Sequence, residues 1–130
     1  MKVLYIVRGL SGSGKTTLAH KLCPFVYSAD DWFYDNKGNY NFDPSQLADA
    51  HADCFTNVEC AMLDGAEEEN DALAVANTFS QSWEAEPYFK VAKKYGYSPF
   101  VIECQNTFEN VHEVPQETIN AMKNRWESLV

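Results

Sequence analysis

Apolar residues fill positions 3–7 without a break (Val3, Leu4, Tyr5, Ile6, Val7), and the run stops at a stretch rich in glycine and serine. A short continuous segment of β-branched and aromatic residues is the pattern of a strand buried on both faces of a parallel sheet, so a first strand is predicted there. Over 15–22, Leu18 and Leu22 recur four apart, which predicts a helix closed by Pro24. Residues 25–29 predict a second strand. Residues 31–44 mix aromatic residues with Asn, Asp and Gly around a turn expected at 36–39, which predicts an irregular surface excursion of the kind that often carries function. Asp43 and Pro44 suit an N-cap and a first helical position. The helix they open puts Leu47, His51, Cys54, Phe55, Val58 and Met62 on one stripe and ends at Gly65. Residues 72–76 predict a third strand, with a helix as competitor because alanine is a weak strand former. A helix over 84–95 carries Tyr88, Val91, Ala92 and Tyr95, stops at Gly96, and precedes a fourth strand at 100–102. Pro115 opens a last helix with Ile119, Met122, Trp126 and Leu129 inward.

Strands that alternate with helices imply an α/β architecture, a small parallel sheet of about four strands flanked by helices, with right-handed crossovers. The 130 residues, 45% hydrophobic, make one core and one domain over 1–130. No apolar run approaches the roughly 18 residues of a membrane span, and Met1 and Lys2 lead directly into the first strand without a signal-like region, so a cytoplasmic location is expected. Cys23, Cys54, Cys60 and Cys104 form no C-x-x-C pair and are expected as reduced, mostly buried thiols. A net charge of −9 argues against general nucleic-acid binding, while leaving room for a local patch that grips one end of a strand. The acids Asp64, Glu67, Glu68, Glu69 and Asp71 form a solvated loop or, alternatively, a protein-partner loop over 64–71.

Between the first strand and the first helix, residues 9–16 match G-x-x-x-x-G-K-[ST] in full. Gly12 and Gly14 let the backbone turn so that successive N–H groups face phosphate oxygens, and the helix N-terminus adds partial positive charge. The candidate nucleotide-binding set is Gly9, Ser11, Gly12, Ser13, Gly14, Lys15, Thr16 and Thr17. Lys15 would reach the β and γ phosphates of ATP and counts as catalytic, and the Thr16 hydroxyl would be a ligand of Mg2+. Asp30 and Asp31 follow the second strand and so fall at the carboxyl edge of the sheet, beside this loop. Asp30 could accept the proton of an attacking hydroxyl, and Asp31 could help hold the metal. Both could instead merely solvate or cap the loop.

Residues 8–19, then 28–33 and 40–43, resemble the polynucleotide-kinase-like branch of P-loop kinases. Asn77, Thr78, Trp83, Glu84, Pro87 and Tyr88 are similar to that family's D-N-T-N-x-x-x-W-E-x-x-P-Y segment, and Asn110, Val111, His112, Val114 and Pro115 to the end of its lid. The resemblance implies the three-layer P-loop NTPase fold, Asp30 as catalytic base, and transfer of the γ-phosphoryl of ATP to a hydroxyl of a nucleoside, nucleotide or nucleic-acid end. The departures are Ala76 in place of an acid, Phe79 in place of a second Asn, and a shortened lid without arginines, flanked by Glu109 and Glu113. Loss of an arginine finger costs about 10³-fold or more, so Arg8, Lys90, Lys93, Lys94 and Arg125 are the cations that could substitute. The departures also support an alternative, a degenerate nucleotide-binding homologue acting as a regulatory or interaction module, and more weakly a slow hydrolase. Trp32, Phe33 and Tyr34 either stack an acceptor base or pack the loop. His20 and His51 read as surface or core histidines, whereas His112 sits in the lid remnant.

Overall fold

The computed structural model describes residues 2–10, 12–65, 71–105, 116–127 and 129. Strand β1 (Lys2–Gly9) is flanked by β3 (Asp71–Asn77) and β4 (Ser98–Cys104), and β2 (Val26–Tyr27) pairs with the far side of β3. All pairings are parallel, in the order β2-β3-β1-β4. Helices α1 (Lys15–Leu22), α2 (Leu47–Asp64), α3 (Ser82–Tyr95) and α4 (Gln116–Asn124) complete the fold. Among the described residues no helix is long and apolar enough to cross a membrane.

Alternation along the strands assigns the layers. Leu4, Ile6, Leu73 and Val75 point to the face covered by α2 and α3, where they meet Cys54, Val58, Met62, Tyr88 and Val91. Val7, Ala74 and Ala76 point the other way, against Ala19 and Cys23 of α1 and its flank. The alanines that make β3 a poor strand former on propensity are the residues that let α1 approach, and pairing on both sides decides the conformation. At the carboxyl edge, Arg8 lies opposite both Asn77 and Glu103, and Gly9 opposite Cys104.

Several boundaries differ from the sequence expectation. The second strand spans two residues rather than 25–29, because the chain leaves the sheet at Ser28 to enter a 3-10 turn over Ala29–Phe33. Phe25, expected in that strand, is 55% exposed, although its carbonyl still accepts from Ala74 N–H. Asp43 caps as expected, accepting from Ser45 N–H, but the turn it opens at Pro44 is a 3-10 turn that gives way to α2 at Leu47. Ile119 of α4 is buried, whereas Trp126 lies beyond the end of the helix on the guanidinium of Arg8. Pro115, the expected start of that helix, is outside the described residues, as are Glu67, Glu68 and Glu69 of the acidic segment. All four cysteines are free thiols, and of these Cys60 is exposed and Cys104 half-buried, so only Cys23 and Cys54 are the buried thiols expected.

Candidate active site

The glycine-rich turn folds as its sequence requires. Gly12 and Gly14 sit at φ 82° and 85°, the left-handed region that disfavours a side chain. A Cβ on Gly9 would collide with Ser13 Oγ and come within 3.1 Å of the Cys104 carbonyl, so it could be accommodated only if the turn or β4 shifted. Gly14 is the N-cap of α1, and neither a side-chain cap nor an acidic residue occupies its first turn. The positive end of the helix is therefore not neutralised by an acid of its own. Among the described residues, the Ser13 hydroxyl is the one fully buried side-chain polar atom without a hydrogen-bond partner. An orphaned hydroxyl inside a tight cradle at a helix N-terminus fits an anion such as a nucleotide phosphate. Lys15 is buried at the start of α1, with Nζ 3.5 Å from the Leu10 carbonyl. Burial lowers its pKa, and the nearby Asp30 carboxylate partly offsets that. Thr16 is half-buried and Thr17 exposed, while Ser11 lies outside the described residues.

Asp30 and Asp31 separate into different tasks. Ser28 caps the 3-10 turn: its hydroxyl accepts from Asp30 N–H, and Asp31 Oδ2 accepts from Ser28 N–H at 3.2 Å. Asp31 thus holds its own turn in a capping box. Burial raises its pKa, countered by that backbone hydrogen bond. Asp30 instead points across the loop, where Oδ1 accepts from the Tyr40 hydroxyl at 3.1 Å. Burial and then Asp30 raise the pKa of Tyr40, so the phenol remains a donor. Sequence places Tyr40 only within the resembling segment 40–43, without a role, and a further signal for it is the tight turn before it. There Asp35 Oδ1 accepts from Lys37 and Asn39 N–H, and Gly38 takes φ 82°. Phe33 is buried edge-on to Tyr40 and close to Phe42, so it packs the loop, whereas Trp32 and Tyr34 remain exposed.

The turn is fastened to the sheet by Asn77 at the end of β3. Asn77 Oδ1 accepts from Ala29 N–H at 2.8 Å and from the Ser28 hydroxyl at 3.4 Å, and Nδ2 donates to Cys54 Sγ. Asn77→Ala leaves the Ala29 N–H without that acceptor, at a cost of about 1–3 kcal/mol. Urea melts are expected to show this loss, with Asn77→Asp recovering part of it because a carboxylate oxygen can still accept.

Of the five cations that could replace the lid arginines, Arg8, Lys90, Lys94 and Arg125 have other partners. Arg8 is 1% exposed; its Nε and Nη2 donate to the Phe79 carbonyl at 3.1 and 2.5 Å, and Nη1 pairs with Glu103 at 3.1 Å. The Trp126 ring covers it, with the guanidinium carbon 4.0 Å from the centroid. Burial pulls the Arg8 pKa down and the Glu103 carboxylate opposes this. Phe79 is held here at φ 49°, unusual for a bulky residue, with its ring edge-on to Tyr88. Lys90 pairs with Glu86 and Lys94 with Glu59 on the surface of α3, where Lys93 is also exposed. Arg125 Nε donates to Ser80 Oγ. The lid residues Asn110 and His112 are outside the described residues. Among the described residues no cluster of three His, Cys, Asp or Glu is suited to hold a metal, so Thr16 and the flanking Asp31 remain the only candidates from sequence.

An anion cradle between the first strand and first helix, beside a carboxylate turn at the carboxyl edge of a 2-3-1-4 parallel sheet, defines a P-loop kinase-like fold. The chain belongs to the AAA domain family, whose model matches residues 4–129. It is similar to NEDD4-binding protein 2 of Homo sapiens, with 31% identity over 142 residues that cover 98% of this chain and 8% of the human protein. Its length is thus a small part of that relative. Among solved structures it is similar in fold to a proposed kinase from Chloroflexus aurantiacus (TM-score 0.60, 21% identity, 79% of this chain and 58% of that one). It also resembles in fold the APS kinase of Mycobacterium tuberculosis in complex with AMPPNP and APS (TM-score 0.53, 20% identity, 80% of this chain and 62% of that one).

Proposed function

We propose that the chain binds ATP through the turn after β1 and moves its γ-phosphoryl to a hydroxyl of a nucleoside, nucleotide or nucleic-acid end, in the cytoplasm. The observation that supports this most directly is the cradle at Gly9 with its unpartnered Ser13 hydroxyl, standing next to a carboxylate that bears on the charge of Lys15. In this reading the N–H groups over 12–17 and the Lys15 ammonium hold the donor phosphates, with Ser11 part of the same loop. Magnesium would be held by the Thr16 hydroxyl, with Asp31 meeting its waters, and it supplies neutralisation of phosphoryl charge. Asp30 takes the proton of the acceptor hydroxyl as the oxygen bonds to the γ-phosphorus and the bond to the β,γ-bridging oxygen breaks, releasing ADP. Tyr40 fixes the carboxylate by donating to its other oxygen, which keeps one oxygen directed at the acceptor.

Radiolabelled ATP and magnesium, incubated with a panel of nucleosides, nucleotides and oligonucleotides bearing a free 5′-hydroxyl, are expected to yield labelled acceptor. Tight ATP binding by calorimetry with no labelled product across the panel would replace transfer with a nucleotide-binding regulatory role, the reading that Ala76 and the arginine-poor lid motivate. Free phosphate appearing at equal rate with and without acceptor would make the chain a hydrolase.

A further inference from the structure

A cleft of about 770 Å³ lies between the N-terminal halves of α2 and α3, with Arg125 at its margin. Its size falls within the range of small-molecule sites and its walls are largely apolar, as such sites are. Nothing in the phosphate-binding turn accounts for it. Trp83 lies on its wall at 66% exposure, with the indole fixed by a 3.0 Å hydrogen bond from Nε1 to Gln81 Oε1. Phe55 and Tyr88 meet edge to face at 5.4 Å behind it. A large indole open to solvent, its ring nitrogen already hydrogen-bonded, is a stacking surface, and that bond lowers the ordering a ring partner must impose.

The polar groups of the cleft say what charge it accepts. Glu84 Oε2 accepts from Ser80 Oγ at 2.8 Å and from Gln81 N–H at 2.6 Å, and Arg125 Nε donates to the same Ser80 hydroxyl at 3.1 Å. Among the described residues that line the cleft, the one cation, Arg125, thus shares the Ser80 hydroxyl with the one carboxylate, Glu84. His51 is the remaining ionisable group on the wall; burial lowers its pKa below the ordinary 6.5, so it stays neutral at physiological pH and serves as a hydrogen-bonding ring. The same histidine feels the carboxylates of both Glu84 and Asp30, so the cleft and the Asp30 turn are neighbours. The 3-10 turn also packs on α2 and is tied to its entry by the hydrogen bond from Trp32 Nε1 to Gln46 Oε1. Among the described residues that line the cleft the single cation is matched by a single carboxylate, so the cleft has no surplus positive charge to favour a phosphate on the occupant, and the net charge of −9 on the chain works against one.

We propose that this cleft binds an uncharged nucleoside, its base against Trp83 and its sugar directed toward the Asp30 turn, and that it discriminates against nucleotides and nucleic-acid ends. This narrows the acceptor of the transfer reaction and rests on that reading only for what happens to the hydroxyl; the binding itself needs neither ATP nor magnesium.

The test is calorimetry on the intact chain, without ATP or metal, using adenosine and adenosine 3′-monophosphate as probes. Adenosine is expected to bind and the monophosphate to bind about tenfold more weakly or worse. Trp83→Ala is expected to weaken adenosine about tenfold, the loss of one stacking partner. Ala52→Trp, which puts bulk into the cleft from an exposed position on α2, is expected to abolish binding with no change in melting temperature, and Ala48→Trp serves the same purpose should that variant not fold. The proposal is overturned if adenosine does not bind, if the monophosphate binds as tightly or tighter, or if the filled cleft retains wild-type affinity. It is equally overturned if the cleft proves to be covered by a second copy, seen as concentration-dependent dimerisation that Ala52→Trp removes. ATP affinity and phosphoryl transfer, measured on the same preparations, separate the two readings: loss of transfer with adenosine binding intact sinks only the kinase, and the reverse result sinks only the cleft.

Discussion

Asp30→Asn is expected to lower kcat for phosphoryl transfer by about 10²–10⁴-fold while leaving ATP affinity within a few-fold of wild type, the contribution ordinarily supplied by a positioned general base. The substitution keeps the size of the side chain and an oxygen able to accept from the Tyr40 hydroxyl, so the loop is expected to retain its shape. It also removes one negative charge near Lys15, whose pKa should drop further below its ordinary value once the offsetting carboxylate is gone. Single-turnover kinetics separate the two consequences: a defect in chemistry persists at saturating ATP, whereas weakened charge on Lys15 appears as a change in nucleotide affinity. Transfer at the wild-type rate would remove Asp30 from the role of base. Tyr40→Phe gives the graded control, since it withdraws only the hydroxyl that orients the carboxylate.

The second large effect concerns stability. Arg8→Met is expected to destabilise the fold by about 3 kcal/mol, because charge-assisted hydrogen bonds to the buried Phe79 carbonyl, the pair with Glu103 and the contact with the Trp126 ring are lost together. The estimate stays below the cost of breaking a fully buried ion pair, since the Glu103 side chain is 31% exposed and can be solvated again. For a chain of this size the melting temperature should drop by about 10 °C. Two further readouts identify the cause. Tryptophan emission should shift to the red as Trp126 leaves its seat. The chain after α4 should also loosen, because the contacts from Glu127 N–H to the Ser80 carbonyl and from Trp126 Nε1 to Glu103 belong to the same clamp. A melting temperature within about 2 °C of wild type, accompanied by weakened ATP binding, would instead return Arg8 to the phosphate site as a substitute for the lid arginines.

The buried Arg8 also accounts for an unusual backbone. Phe79 is a bulky residue at positive φ, a region that asparagine tolerates far better. The carbonyl of Phe79 receives two hydrogen bonds from Arg8 and its ring fills a space beside Tyr88, which hold the residue there. Strain at one residue is balanced by partners from β1 and α3.

Sequence determined what is written in consecutive residues. The glycine-rich turn is legible because its conformation depends on residues 9–16 themselves: glycines where φ must be positive, a lysine and a hydroxyl at fixed offsets, an apolar strand before and a helix after. The α/β order follows for the same reason, as hydrophobic period is a local property. The position of Asp30 and Asp31 beside the turn could be read from the rule for open parallel sheets, but their division of labour could not. Whether a carboxylate caps its own turn or faces a tyrosine depends on Asn77, 48 positions from Ala29, and on Tyr40 across the loop. Tertiary structure alone decided the fate of Arg8, whose partners Phe79 and Glu103 are 71 and 95 residues away, and it alone assembled the cleft from the facing sides of two helices. Periodicity reports which face of an element is buried, whereas pairing and cavities depend on which other face lies opposite, and that is settled only when the sheet brings distant segments into register.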